Sequence, residues 1–495
     1  MSRLQAKAIN SIKWTTIQTI FLGVSAPLLL MVKARFLTPS EFGVLAIATI
    51  FIGLFQTLNN FGISQAVIQR DNLTKQELSS LFFFNIFLAS FLSICLFSFS
   101  DSIGNIFSLN ELSFLLKILS LMFVISGPSL LFRALLEKQL YFKELSIIQI
   151  VSELILIVGT ILFLINGLGL LGVIIGQVVS TAFKVLIIFI VSKRKDILNI
   201  SLYFSFNKLK PFIKFGLYVS GKQVISFLTF RVDQLLIGYF LAPEILGIYY
   251  FAKNMLERLR SLITSSFAKV LFPLLSKLKN NKEKLTVAYQ KISRYVALFS
   301  FPVFIGIALT AHLFVPVLFG EEWVESVFFF QVFSIALIPL VLTANLSTSL
   351  LYSVGKPNEV FYIDLIINVI YILCLSVFTH LGIYVVLSLY CGYVLVKTTV
   401  LQYQTSKYLL NTFIEYLSSF KTILFISFLL VLSVLIIQSL LPEGLEYIIQ
   451  FIITVFFGIS TYILATFLFE KGTLLELKSA FVHKNISIVY KTNRE

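Results

Sequence analysis

Apolar residues in this chain form long, nearly uninterrupted stretches separated by short polar connections. A helix that spans a membrane needs about 20 mostly apolar residues. We therefore predict an all-α polytopic membrane protein with about 14 transmembrane helices. The predicted spans lie at approximately 12–34, 43–66, 79–99, 112–132, 147–166, 168–191, 212–239, 246–274, 293–315, 327–353, 360–379, 382–403, 422–441 and 447–469.

Lysine and arginine are divided unequally between the two sets of connections. The terminal tails and the connections after even-numbered spans, together with Lys13, Lys214 and Arg294 at the adjoining ends of spans, hold 28 of the 39 Lys and Arg residues, and the opposite side holds only Lys33 and Arg35. The positive-inside rule then predicts a cytoplasmic (inner) membrane protein with both termini in the cytoplasm. The net charge of +15 is therefore interpreted as a topology signal and an attraction to membrane lipid, not to nucleic acid.

The composition supports a membrane location and offers little for catalysis. Only 13% of residues are charged, whereas soluble proteins have about 25%. The three His and three Cys show no metal-binding spacing. The sequence GLGLLG at 167–172 is predicted to be a tight turn, and no GxxxxGK[ST] motif for ATP is present. We expect no cofactor, no metal and, because the outer loops are short, no enzyme activity.

One short sequence occurs twice. The segments FLTPSEFG at 36–43 and FLAPEILG at 240–247 share Phe, Leu, Pro and Gly at equivalent positions, shifted by 204 residues. Each copy lies at a predicted outer turn, where Pro disfavours continuation of a helix and Gly permits close approach of the next one. The alternative is that two similar helix–turn–helix connections have no shared origin.

The spacing of the two copies predicts the architecture. Six spans separate them, so both copies have the same orientation, as in a parallel repeat about a pseudo-two-fold axis along the membrane normal. We predict two pseudo-symmetric six-helix lobes that rock around a cavity, followed by two more helices. The predicted domains are an N-lobe at 1–195, a C-lobe at 196–408, the last two helices at 409–470 and a cytoplasmic tail at 471–495.

Spans 7 and 8 carry an unusual number of charges. Charged side chains at membrane depth are costly and usually face a cavity or a partner. Five are basic and two acidic, which predicts a cationic cavity for an anionic substrate; phosphate suits arginine through paired hydrogen bonds. An internal salt-bridge network between the two helices is the alternative. The candidate substrate-binding residues are Lys222, Arg231, Lys253, Arg258 and Arg260.

Acidic residues within the spans are candidates for ion coupling or for internal pairing. They are Asp233, Glu257 and Asp364. On span 7, Lys222, Ser226, Thr229 and Asp233 follow one another at intervals of four, three and four residues and so share a helical face. Other lysines near span ends, including Lys397, are expected to extend to the membrane surface.

Three segments resemble a known family. They are residues 36–81, residues 230–255 (FRVDQLLIGYFLAPEILGIYYFAKNM) and FGEEW at 319–323. They are similar to bacterial polysaccharide flippases of the multidrug/oligosaccharidyl-lipid/polysaccharide (MOP, MATE-like) exporter superfamily, of the teichuronic and colanic acid exporter type. The resemblance covers most of spans 1–12 and is weaker in the last two spans.

The resemblance implies a flippase for undecaprenyl-diphosphate-linked oligosaccharide repeat units, working by alternating access in lipopolysaccharide or exopolysaccharide biosynthesis. It implies a V of two helical bundles, coupling to H⁺ or Na⁺, and contact with polysaccharide-assembly proteins. The alternatives are a transporter of the same fold for a peptidoglycan-precursor lipid or a drug, and a membrane polysaccharide polymerase. A basic cavity argues against organic-cation drugs, and short outer loops argue against a polymerase.

Overall fold

The computed structural model describes residues 3–70, 73–197, 200–442, 444–473 and 475–476. All regular elements in these ranges are helices, which confirms the predicted all-α class. Most of the predicted cytoplasmic tail, from residue 477 onwards, lies outside the described residues.

The helices follow the predicted order of spans, with two short helices, α3 (Ile63–Gln69) and α14 (Phe413–Ser418), added. The first nine are α1 (Arg3–Phe36), α2 (Pro39–Asn60), α3 (Ile63–Gln69), α4 (Lys75–Ile106), α5 (Asn110–Lys138), α6 (Phe142–Ile165), α7 (Gly169–Arg194), α8 (Phe206–Phe240) and α9 (Pro243–Leu278). The remaining seven are α10 (Lys282–Phe319), α11 (Ser326–Ser353), α12 (Pro357–Phe378), α13 (Ile383–Ser406), α14 (Phe413–Ser418), α15 (Lys421–Leu440) and α16 (Tyr447–Phe469).

Twelve helices of the described chain are long and apolar enough to cross a membrane. This number makes the chain a multi-pass membrane protein. Helices α8 and α9 occupy predicted spans 7 and 8, and their 35 and 36 residues exceed the roughly 20 residues that a bilayer requires. Neither is among the twelve candidate spans of the described residues, so the total of fourteen spans stays a prediction.

The chain forms two compact units. Unit 1 consists of Met1–Phe251 and Leu375–Ile383, and unit 2 consists of Ala252–Cys374 and Tyr384–Glu495. These units are defined by packing, whereas the predicted lobes are defined by the sequence repeat. The predicted domain bounds therefore stay a prediction.

In unit 1, α4 packs along α5, α6 packs along α7, and α2 packs along α8. A hydrophobic core near the start of α8 includes Leu81, Phe132 and Leu209, each at most 1% exposed. Helix α2 ends at Asn60 because the backbone at Phe61 and Gly62 is left-handed, with φ values of 37° and 60°. The predicted second span is thus divided between α2 and α3.

In unit 2, α10 packs along α11 and also contacts α15 and α16. A buried polar contact joins α10, α11 and α13: the Tyr289 hydroxyl lies 3.0 Å from Ser347 Oγ and donates to Gln402 Oε1 at 2.7 Å. Tyr416 of α14 packs on Tyr289, with ring centroids 5.7 Å apart. This contact holds α14, which the hydrophobic pattern did not predict, against unit 2.

Candidate functional site

Both copies of the repeat form a turn between two long helices, as predicted. Helices α1 and α8 end at the Phe of each copy, and α2 and α9 begin at the Pro. Pro suits the first helical position because its missing N–H would have no partner within the helix there. In the first copy, Thr38 Oγ1 accepts a hydrogen bond from Glu41 N at 3.3 Å, and the Glu41 carboxylate accepts one from Thr38 N at 2.8 Å.

The two copies pack against each other through their glycines. A Cβ added to Gly43 would lie 2.1 Å from the carbonyl oxygen of Pro243, and a Cβ added to Gly247 would lie 1.8 Å from that of Pro39. Shifting Pro39 and Gly43 by 204 residues gives Pro243 and Gly247, so the contact is reciprocal. Reciprocity of this kind is the property of a two-fold axis. We call these four residues the repeat contact.

Buried apolar side chains continue the packing beside the repeat contact. The rings of Phe42 and Phe251 meet edge to face with centroids 5.6 Å apart. A Cβ on Gly238 would lie 2.6 Å from Ile47 Cδ1. This end of unit 1 is therefore closely packed, at both backbone and side-chain level.

A cavity of about 830 Å³ lies beside α8 in the same unit. We call it the α8 cavity. Seven of its nine lining residues come from α8, spaced so that they form one broad helical face. The lining residues are Thr57, Gln65, Val219, Lys222, Gln223, Ser226, Phe227, Phe230 and Arg231.

Two predicted substrate-binding residues, Lys222 and Arg231, line the α8 cavity in different ways. Lys222 is exposed, and among the described residues it has no hydrogen-bond or ion-pair partner. Arg231 is half-buried; its Nη1 donates to Gln234 Oε1 at 3.0 Å, and its guanidinium carbon lies 5.6 Å from the Phe230 ring centroid. The cavity thus holds one positioned cation and one that is available to a ligand.

The other three predicted cations belong to unit 2 and are not among the residues that line the α8 cavity. Lys253 is 5% exposed, and its Nζ lies 5.1 Å from the Tyr390 ring centroid. Arg260 Nε donates to Glu257 Oε2 at 2.7 Å. Arg258 is exposed and has no partner in the described part of the chain. Their role in substrate binding stays a prediction.

The predicted acids all have partners within the chain. Asp233 is 2% exposed and accepts hydrogen bonds from the Tyr249 hydroxyl and from Gln234 N. Asp364 forms an ion pair with Lys397 at 3.0 Å. From its position near a span end, Lys397 was expected to extend to the membrane surface. In the structure it instead pairs with Asp364. Internal pairing is compatible with ion coupling, which stays a prediction for all three acids.

The face of α8 that lines the cavity differs from the face that the polar spacing predicted. Ser226 of the predicted polar stripe lines the α8 cavity, whereas Asp233 is buried elsewhere and Thr229 Oγ1 donates to the carbonyl of Ile225 at 2.8 Å. Arg231 lies off that stripe yet lines the cavity. The cavity face is therefore rotated from the face that the polar spacing predicted.

Sequence reasoning missed three polar residues of the cavity: Thr57, Gln65 and Gln223. Gln223 could have been found as a polar neighbour of Lys222 on a membrane helix. Gln65 could not, because the left-handed turn at Phe61 and Gly62 changes the direction of the chain before α3 begins.

A second cavity, of about 550 Å³, is an apolar groove in unit 2 between α10, α15 and α16. Its lining includes Pro302 and Gly306 from α10, Leu430 from α15 and Gly458 from α16. Few polar side chains reach it, so its surface suits an apolar chain.

The fold defines the class of protein. The structure named "Lipid II flippase MurJ, inward closed conformation" is similar with a TM-score of 0.73, covering 94% of this chain and 100% of that one at 15% sequence identity. At this identity the similarity shows a shared fold. The chain is thus a multi-pass membrane protein with the fold of a solved flippase.

The family follows from the sequence. The model of the family described as "Polysaccharide biosynthesis protein" matches residues 32–328, and the chain belongs to this family, as predicted. The lipopolysaccharide biosynthesis protein WzxC of Escherichia coli (strain K12) is 29% identical over 320 residues, 65% of this chain and 65% of WzxC. The teichuronic acid biosynthesis protein TuaB of Bacillus subtilis (strain 168) is 27% identical over 366 residues, 74% of this chain and 75% of TuaB. The chain thus spans less than two thirds of WzxC.

Proposed function

We propose that this chain is a flippase that moves undecaprenyl-diphosphate-linked oligosaccharide repeat units across the cytoplasmic membrane by alternating access, for cell-surface polysaccharide biosynthesis. The observation that carries the proposal is the α8 cavity with Lys222 exposed in it. Lys222 lies 16 residues from the start of α8 and 18 from its end, about 24 Å and 27 Å along the axis. A cation at this depth is costly unless an anion accompanies it.

The chemistry of the cavity fits the head of such a lipid. A diphosphate is an anion that Lys and Arg bind through charge-assisted hydrogen bonds. Thr57, Gln65, Gln223 and Ser226 supply neutral donors and acceptors for sugar hydroxyls. The polyprenyl tail needs only apolar contact, which membrane lipid can supply.

The repeat contact supports alternating access. It joins the first turns of α2 and α9 through backbone atoms, beside the apolar rings of Phe42 and Phe251. Its four residues carry no charge, so the contact can part without separating an ion pair. In our proposal this contact is closed while the α8 cavity accepts cargo and opens when cargo leaves.

Orientation and coupling complete the proposal. The positive-inside rule favours cytoplasmic termini, which places the repeat contact on the outer side and the start of α8 on the cytoplasmic side. Coupling to H⁺ or Na⁺ would act through Asp233, Glu257 or Asp364, where protonation or cation binding would compete with the internal partner. Polysaccharide-assembly proteins are the expected partners.

The test is reconstitution in liposomes with a labelled undecaprenyl-diphosphate oligosaccharide. We expect the wild type to move it between leaflets, and Lys222→Gln to slow movement about 10-fold or more, since a hydrogen bond to a charged group contributes about 1.5–3 kcal/mol. Lys214→Gln is the matched control: it removes the same charge from α8, on the side that helical periodicity places opposite the cavity. Absence of movement by folded wild-type protein would overturn the proposal.

A peptidoglycan-precursor lipid is the second candidate cargo, favoured by the similarity to the lipid II flippase structure. The same liposomes distinguish the two. Movement of lipid II, without movement of the oligosaccharide lipid, would replace the proposed cargo while leaving the cationic cavity in the same role.

A further inference from the structure

A polar network joins α12 to α13 in unit 2, apart from the residues that line the α8 cavity. Lys397 Nζ lies 3.0 Å from Asp364 Oδ1, its ion-pair partner, and donates to the Tyr393 hydroxyl at 3.1 Å. The Tyr393 hydroxyl in turn donates to Asn368 Oδ1 at 3.0 Å. The rings of Tyr371 and Tyr393 stack with centroids 4.3 Å apart. Four polar side chains thus form one continuous chain between two consecutive helices.

The ion pair of this network lies within the apolar lengths of both helices. Helices α12 and α13 are each long and apolar enough to cross a membrane. Asp364 is seven residues from the start of α12, and Lys397 is nine residues from the end of α13, which is about 10.5 Å and 13.5 Å along the two axes. A carboxylate at such a depth is costly unless a cation accompanies it.

The chain itself supplies this cation. The ammonium of Lys397 carries one positive charge, as Na⁺ does, and it lies beside a carboxylate oxygen and a hydroxyl oxygen, which are the donors that a hard cation selects. In the described part of the chain, neither Asp364 nor Lys397 has another ion-pair partner. A Na⁺ ion that displaced the ammonium would leave Lys397 uncompensated within the membrane. The residues present therefore do not fit an exchangeable Na⁺ at Asp364.

We infer that Lys397 is a tethered counter-cation for Asp364 and makes this site independent of Na⁺ in solution. The inference rests on the proposed function, whose ion coupling it narrows: of the three candidate acids, Asp364 takes no Na⁺. Lys397 is then a positioning residue, because it holds α12 against α13 without an ion from solution.

Removing the tethered cation should create a Na⁺ site. In Lys397→Met the Asp364 carboxylate keeps its charge and loses its cation, while the Tyr393 hydroxyl stays beside it. The experiment measures thermal unfolding of the purified full chain in detergent, in NaCl and in N-methylglucamine chloride at equal ionic strength. We expect equal midpoints in the two salts for the wild type. For Lys397→Met we expect a midpoint about 2 °C or more higher in NaCl, because Na⁺ then binds the folded state.

The double variant Lys397→Met/Asp364→Asn is the matched control, since it lacks both charges and should lose the response to Na⁺. A folded Lys397→Met that does not respond to Na⁺ would overturn the inference. So would a Na⁺ response of the wild type that Asp364→Asn abolishes, whereas a response that survives this substitution would place Na⁺ elsewhere and support the inference.

Two further points keep the test decisive. If Lys397→Met does not fold, Lys397→Gln replaces it, because glutamine removes the charge and keeps a hydrogen-bond donor. The readout is unfolding and not transport. A failure here is therefore distinct from a failure of the wild type to move the labelled lipid, which would overturn the proposed function.

Discussion

The repeat contact and the α8 cavity lie in the same unit and both involve α2, yet they are opposite in character. At the repeat contact, the carbonyl oxygens of Pro39 and Pro243 lie 1.8 Å and 2.1 Å from where a glycine Cβ would be, and the apolar side chains of Phe42 and Phe251 are buried beside them. At the cavity, about 830 Å³ is open and two cations line it. The four residues of the contact are uncharged and leave no room for a larger side chain, whereas the cavity has both space and positive charge.

The difference separates two requirements of transport. Closing one side of a membrane needs surfaces that fit tightly and part without a large electrostatic cost, which glycine and apolar residues provide. Binding an anionic headgroup needs space and positive charge. Gly53 lies between the two regions on α2, with the ring of Phe227, a cavity residue, 2.7 Å from where its Cβ would be. Substitutions at the start of α2 should therefore mainly lower stability, whereas substitutions nearer the cavity should mainly change transport.

The largest effect is expected at the repeat contact itself. Gly43→Ala and Gly247→Ala each place a methyl group against a backbone oxygen, at 2.1 Å and 1.8 Å, and a backbone cannot rotate away as a side chain can. We expect a loss of about 1–3 kcal/mol or more in stability, together with slower transport. Thermal unfolding in detergent and the liposome assay measure the two effects.

Gly392→Ala is the matched control for this pair. Gly392 lies within α13, and no atom lies within 4 Å of its Cβ position. Alanine there should be neutral or stabilise the helix by roughly 0.5–1 kcal/mol. If Gly43→Ala and Gly247→Ala behave like this control, the two copies do not pack as described.

An intermediate effect is expected at Gly53. In Gly53→Ala the new methyl group meets the far end of the Phe227 side chain, which can rotate. We expect a stability loss of less than about 1.5 kcal/mol and a larger change in transport, because Phe227 moves within the cavity. Comparing unfolding midpoints with transport rates at several lipid concentrations tests this. If the transport rate falls only as far as the loss of folded protein explains, Gly53 has a purely structural role.

The smallest effect is expected at Thr49, beside the repeat contact. Its Oγ1 donates to the Ala46 carbonyl at 2.8 Å and lies 3.3 Å from the Tyr250 hydroxyl. Thr49→Val keeps the shape and removes the hydroxyl, so we expect about 0.5–1.5 kcal/mol of destabilisation. Thermal unfolding measures it, with Thr49→Ser, which keeps the hydroxyl, as control. A larger loss in Thr49→Ser than in Thr49→Val would show that the methyl group matters more than the hydrogen bond.

Sequence reasoning went furthest where the signal is local. Apolar runs predicted the positions of the fourteen long helices, including α8 and α9, which carry more charges within their predicted spans. The length and hydropathy of a single segment are enough for this prediction. The Pro and Gly of the repeat predicted both turns, because their backbone preferences are also a local property of the sequence. The repeat did not predict that its two copies touch, since a shift of 204 residues contains no information about distance in space.

The site was predicted less completely because it depends on packing. Lys222 and Arg231, which are predicted to bind substrate, line the α8 cavity. The polar stripe also pointed to Asp233, which is buried against Tyr249. Which face of a charged helix meets a cavity depends on its neighbours. Polar spacing along a single helix does not specify those neighbours.

The most direct test of the central claim is the rate at which purified wild-type protein moves a labelled undecaprenyl-diphosphate oligosaccharide in liposomes, beside Lys222→Gln and Lys214→Gln. The account predicts rapid movement by the wild type and by Lys214→Gln, and movement slowed by about 10-fold or more in Lys222→Gln. Equal movement by all three proteins would contradict the role of the α8 cavity, and no movement by the folded wild type would contradict the flippase function.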